Sequence, residues 1–357
     1  MRANTNRRAA LARAVLAVAL GLTAGCAPAG SETPPDRSAT ASPQTRTTQT
    51  TRTVIPAPPV EPERPRLVRW HGPVDALFVH PLILRPKRAF HGRQARGFLD
   101  YFITAREFRA LLDELWRNGW TLVDVHKAAA GTVRVPGGRK PLVLYEDDAN
   151  YYRYFRGEGL ARRLVLDPVG EVRAELPGGA LSTADVVPLV DAMVAQHPEF
   201  SAEGAKGVLA LTGFEGLLGE RDPELSAAHR RVARLADRLR ADGWTFASHT
   251  YGHIDLSTAS ADDIREDTAK WRHQAGVLGP VDVLVYPYGA RPGPAALRTL
   301  VELGYPIQID IDVRPQRRLV GGAIVMSRRH VDGLSFDAPA RQRPFYAVGA
   351  VRDPRRP

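Results

Sequence analysis

The stretch LVLYEDDANYY, Leu142 to Tyr152, decides how the chain is read. Four residues that favour buried β-structure run straight into three acids, Glu146, Asp147 and Asp148, and then into an aromatic pair. A short continuous apolar run suits a strand covered on both faces, as in a parallel sheet flanked by helices. Solvated acids belong on helix faces or loop tips. Acids at the C-terminal end of a buried parallel strand sit where β/α folds gather their chemistry.

Outward from this strand the same rhythm repeats. VDALFVH (74–80), WTLVDV (120–125), GVLAL (207–211), WTFAS (244–248), VDVLVY (281–286), PIQIDI (306–311) and AIVMS (323–327) read as further strands. Amphipathic patterns at 104–119, 183–197, 223–242, 260–276 and 294–303 read as helices. Thr104 with Glu107 and Ser260 with Asp263 form capping pairs, Pro294 opens the last helix, and Gly119 and Gly304 close the first and last. Seven or eight such strands predict an α/β fold, a closed or nearly closed (β/α) barrel. The segment 150–182 breaks the rhythm and reads as an inserted hairpin turning at Asp167–Gly170.

The chain has 357 residues, of which 44% are hydrophobic and 25% charged, enough for one sizeable core. Residues 1–26 combine four arginines, a short apolar segment and LTAGC, which reads as an export signal too short to span a membrane. Its end resembles a lipobox, so Cys26 is expected to carry a lipid and hold the exported protein at the membrane. Residues 27–66 are rich in Pro, Ser and Thr and read as a disordered tether. The barrel is expected over 67–340, followed by a basic tail at 341–357. The leader holds four of the arginines and no acid, so its removal lowers the formal charge from +10 to +6. The basic residues are scattered and no aromatic-plus-basic platform accompanies them, which argues against nucleic-acid binding; attraction to an anionic envelope suits the balance. Cys26 is the sole cysteine. Internal disulfides, thiolate metal sites and cysteine catalysis are thereby excluded.

Chemistry-bearing residues recur at strand ends: the three acids, His249 and His253 in SHTYGH, Pro287-Tyr288-Gly289, Arg328 to His330, and His80. Two histidines four apart in a helical loop can aim both rings at one zinc-like ion, and one carboxylate completes a three-ligand set with room for water and substrate. Adjacent aspartates diverge in extended backbone. They suit two jobs, metal ligand and base, better than a facing pair of acids across a glycosidic bond. Tyr151, Tyr152 and Tyr154 could stack on a sugar or pack the insertion. Phe214 and Glu215 fall near the same rim.

LYEDDA, SHTYGH and VYPYG, in that order, resemble the motifs of the polysaccharide deacetylases of carbohydrate esterase family 4, over roughly Leu142 to Asp332. The resemblance implies a distorted or incomplete barrel of about seven parallel strands. It implies that Asp148, His249 and His253 hold a divalent metal, zinc or a similar ion, and that Asp147 is the general base. The Pro287, Tyr288 and Gly289 turn would bind substrate, its N–H near Tyr288 holding the oxyanion, and Thr250 would brace the histidine loop. His330 is expected as the acid for the leaving amine, with His80 as a second candidate. The substrate implied is an acetylated polysaccharide, and the enzyme a hydrolase of non-peptide C–N bonds. Three departures stand out: Glu146 replaces an aromatic, Ala149 a glycine, and Val285 the arginine that steadies the base, a role open to Arg291 or Arg328. They motivate a second expectation, a carbohydrate-binding protein that has lost catalysis; a metal hydrolase acting on another amide is the third.

Overall fold

The computed structural model describes residues 66–221 and 226–357. The leader and nearly all of the tether lie outside these residues. Seven strands form the frame: β1 (Asp75–Val79), β2 (Lys140–Asp147), β3 (Gly207–Leu211), β4 (Trp244–Ser248), β5 (Val283–Val285), β6 (Ile307–Ile311) and β7 (Ala323–His330). Each pairs in parallel with the next in sequence, and β7 pairs back onto β1, so the ring closes. Two seams are thin. Ser248 faces Leu284 between β4 and β5, and only Arg329–Leu77 and His330–Phe78 join β7 to β1. The barrel is therefore complete but uneven. The strand candidate at Trp120–Leu122 stands off the ring; it pairs with the start of β2 and makes a single bridge from Leu122 to Ser201.

Alternation along the strands explains their continuous hydrophobicity. Phe78, Val143, Tyr145, Val208, Ala210, Val285 and Ile309 fill the interior. Leu77, Leu144, Leu209 and Leu211 face outward and are sealed by helices. Those helices are α1 (Ala105–Arg117), α2 (Val186–Gln196), α3 (Ser226–Ala241), α4 (Ala261–Ala275) and α5 (Pro294–Glu302). Burying each such leucine contributes about 1.5–3 kcal/mol. Both expected capping boxes form, at Thr104/Glu107 and Ser260/Asp263.

The insertion carries antiparallel strands Arg163–Leu166 and Val172–Glu175, with Leu181–Ser182 beside the second. Its turn is set by Asp167, whose Oδ1 accepts N–H bonds from Val169 and Glu171.

The expected basic tail requires correction. The compact unit runs to Pro357. Phe345 stacks on Trp120 at 4.9 Å, and Phe345, Tyr346 and Val351 are buried. Arg356 is buried as well, bonded to both Glu107 oxygens and to the carbonyls of Leu99 and Phe102. The segment runs along α1, with Phe345 and Ala347 near its C-terminal end beside Trp120 and Glu114, and Arg356 at its N-terminal end against Glu107.

Candidate metal centre

Strand parity sorts the three acids. Tyr145 and Asp147 point into the barrel, while Glu146 between them points out toward the helices. The chain then turns sharply, with Asp148 in the left-handed region at φ 56°. Thr250, His253 and Tyr288 share that conformation, at φ 59°, 52° and 58°. These four non-glycine residues lie in the loops that follow β2, β4 and β5, and their surroundings hold the backbone in that conformation.

The ligand atoms of Asp148, His249 and His253 lie within 4.8 Å of one another. Nδ1 of His249 is 2.8 Å from the Val285 carbonyl. A carbonyl can only accept, so Nδ1 carries the hydrogen and Nε2 presents its lone pair inward. The residue standing where the motif arginine would be thus orients a histidine through its backbone. Burial and then the nearby His249 push His253 down to about 4, leaving it a neutral imidazole at physiological pH. Two imidazoles and a carboxylate make a donor set suited to zinc or a similar divalent ion. The loop carrying them is braced twice. Thr250 Oγ1 accepts the Ile254 N–H at 3.0 Å, and Asp267 on α4 accepts those of Tyr251 and Gly252 at 2.6 and 2.8 Å. Asp267 belongs to none of the sequence motifs. Its signal is a carboxylate within the buried stripe of Ile264, Thr268 and Trp271.

Asp147 is buried against a buried arginine. Arg328 Nη1 donates to its Oδ2 at 2.6 Å, and the guanidinium lies 3.9 Å above the Phe78 ring. Burial pushes the Asp147 carboxyl up, but the Arg328 charge, then His249 and His80, bring it below the usual range. The carboxylate stays ionised. Its Oδ1 is buried with no hydrogen-bond partner among the described residues. Arg328 therefore fills the place left by Val285, whereas Arg291 pairs with Asp310 and Asp312.

Glu146 finds no basic partner among the described residues. Both its oxygens are buried without hydrogen bonds, and burial, then Asp185 and Asp147, push its carboxyl well up. It is a neutral acid in the outer layer, near Asp185, which accepts from Tyr151 Oη at 3.0 Å and from the Val186 N–H at 2.9 Å.

Pro287, Tyr288 and Gly289 form a turn closed by the N–H groups of Gly289 and Ala290. The Tyr288 N–H takes no part in that closure. The Tyr288 ring stands edge-on to His253 at 4.3 Å and is 71% exposed. Gly289 is required here: φ is +65° and a Cβ would meet Ile311 at 2.8 Å.

The two candidate acid histidines differ. His330 Nδ1 lies 3.2 Å from Asp332, and its ring rests on Phe78 at 4.4 Å beside a groove shared with Tyr101, Val313 and Leu334. His80 is held through Nδ1 by the Tyr101 carbonyl at 2.9 Å, and its charge is felt at both Asp147 and His253. Of the tyrosines considered for sugar contact, Tyr151 and Tyr152 are buried and cannot stack on a ligand; Tyr154 is half exposed and parallel to Tyr152 at 5.4 Å. Glu215 is used by its loop, accepting the Arg153 N–H at 2.6 Å, while Phe214 stays exposed.

Comparison with known proteins bears on the same region. Residues 221–307, which include both histidines and the Pro-Tyr-Gly turn, match the family model described as polysaccharide deacetylase. No curated protein matches in sequence. Among solved structures, the chain is similar to the Streptococcus pyogenes deacetylase PplD in complex with acetate, at 13% identity and TM-score 0.45, over 75% of this chain and 94% of that one. It is similar to IcaB of Ammonifex degensii at 16% identity and TM-score 0.44, over 72% and 91% of the two chains. A polysaccharide deacetylase of Bacillus cereus is similar at 15% identity and TM-score 0.43, over 75% and 68%.

Proposed function

We propose that the chain, whose residues 221–307 match the polysaccharide deacetylase family model, is a metal-dependent hydrolase removing acetyl groups, chiefly N-acetyl, from an envelope or extracellular polysaccharide. The observation that carries this reading is the state of Asp147. One oxygen is fixed by Arg328, the other is buried and unpartnered, and the neighbouring Asp148, His249 and His253 have ligand atoms within 4.8 Å of one another. A pure binding surface has no use for an ionised carboxylate held ready beside a metal-ligand set.

The roles follow from the side chains. Asp148, His249 and His253 would hold the ion, which when bound supplies a Lewis acid and lowers the pKa of water. Asp147 Oδ1 takes the proton of the attacking water, and Arg328 holds the base in place. The Tyr288 N–H faces the oxygen on which charge develops as the acetyl carbon becomes tetrahedral. We assign the leaving-group proton to His80 in place of His330. Nδ1 is engaged in both, by the Tyr101 carbonyl in His80 and by Asp332 in His330, so either would deliver from Nε2; His80 is the one that acts electrostatically on Asp147 and His253. Tyr154, half exposed, and Tyr288 offer aromatic faces to the sugar.

The test is metal analysis of the purified protein together with acetate release from acetylated chitooligosaccharides and peptidoglycan fragments, for wild type and Asp147→Asn. Metal uptake with acetate release lost in the variant supports the reading. Metal uptake without acetate from any glycan overturns it in favour of a binding protein.

A further inference from the structure

We infer that Tyr152 is a positioning residue for the metal centre: its hydroxyl fixes the carboxylate of Asp148 through a closed circuit of hydrogen bonds joining the acid loop to the loop after β3. The inference rests on the metal-dependent reading above. It concerns how one ligand is held.

The circuit has four members. Tyr152 Oη is 2.7 Å from Asp148 Oδ1 and 2.8 Å from Thr212 Oγ1. The phenol donates to Asp148, so its one proton is committed there and the Thr212 hydroxyl donates to the phenol oxygen. Thr212 is in turn fixed by Asn150, whose Oδ1 accepts the Thr212 N–H at 2.8 Å and whose Nδ2 donates to the carbonyls of Thr212 and Gly216 at 2.6 and 2.5 Å. Asn150 follows Asp148 by two residues, so the circuit closes on the strand end where it began. Asn150 and Thr212 are fully buried, and Tyr152 nearly so.

The ring is anchored independently of the barrel interior. Tyr152 packs in a separate apolar cluster with Phe98, Phe102, Phe155 and Leu160. Its ring meets Phe155 at 5.5 Å. That cluster sets where the hydroxyl reaches, and the hydroxyl sets where the Asp148 carboxylate stands. A ligand on a left-handed turn, outside any strand, has no ladder to hold it. Outer hydrogen bonds of this kind orient ligating groups, and their loss typically lowers metal affinity ~10–100-fold. The substitution Tyr152→Phe keeps the ring and removes only the oxygen, so it tests the hydroxyl by itself.

The experiment measures Zn²⁺ affinity of the full chain by chelator competition, and the visible spectrum of the Co²⁺-substituted protein, for wild type, Tyr152→Phe and Thr212→Val. The expected result is a ~10–100-fold weaker ion affinity for Tyr152→Phe, a smaller loss for Thr212→Val, an altered Co²⁺ spectrum in both, and thermal unfolding close to wild type. A Tyr152→Phe protein that binds Zn²⁺ as tightly as wild type, with an unchanged Co²⁺ spectrum, overturns the inference and leaves the metal-dependent reading standing. A wild-type protein that takes up neither ion overturns both.

Discussion

Three acids in a row acquire three different fates because a strand alternates faces and then ends. Asp147, inside, is the proposed base, and Asp147→Asn is expected to lower acetate release by ~10²–10⁴-fold with metal content unchanged. Its partner matters as much. Arg328→Met leaves a buried carboxylate without its cation and is expected to cost about 3–5 kcal/mol, read as a lowered denaturant midpoint, together with loss of turnover. Glu146 behaves oppositely to an ordinary carboxylate. Because its folded pKa is raised, the unfolded chain releases that proton first, and folding loses stability as pH rises above the ordinary carboxylate range. Glu146→Met is therefore expected to raise the melting temperature by an amount that grows from about pH 4 to about pH 8. A gain independent of pH would contradict a protonated Glu146.

At the scale of elements, the strand ends supply residues and the helices hold the loops. The histidine loop owes its shape to Asp267 on α4, which accepts two backbone N–H groups. Asp267→Ala is expected to destabilise the fold by about 2–4 kcal/mol and to weaken ion binding, measured by unfolding and by chelator competition. The strands, most of the helices and both capping boxes are legible in the sequence because their signals are local: apolar runs, 3.6-residue stripes, and paired capping residues three apart. His249 and His253 are legible for the same reason, four residues apart in one loop. The Arg328–Asp147 pairing can be raised from sequence but not decided, since the partners are 181 residues apart and meet only across the closed ring. The choice between His80 and His330 has the same difficulty, because only the folded ring shows which of them acts on Asp147 and His253. Tyr152 reads equally as a sugar-stacking or a packing residue because sequence shows an aromatic but not which way it faces.

Over the whole molecule, composition misleads at the C-terminus. RDPRRP reads as part of a basic tail beyond the barrel, yet Arg356 is buried against Glu107 at the start of α1. Arg356→Ala is expected to cost about 3–5 kcal/mol, since it strands the Glu107 carboxylate, with the loss read by thermal or denaturant unfolding. At the other end, the proposed anchor predicts that Cys26→Ala moves the protein from the membrane to the soluble exported fraction. The ring itself closes at a seam of two residue pairs, where β7 meets β1 across most of the length of the chain. Contacts of such separation form late in folding, after the local β–α units are in place. β7 also carries Arg328, so a chain lacking that strand has its ligands and its base but not the cation that keeps the base charged. Closing the barrel and arming the catalyst are thus one event, and partly folded intermediates are expected to be silent toward substrate.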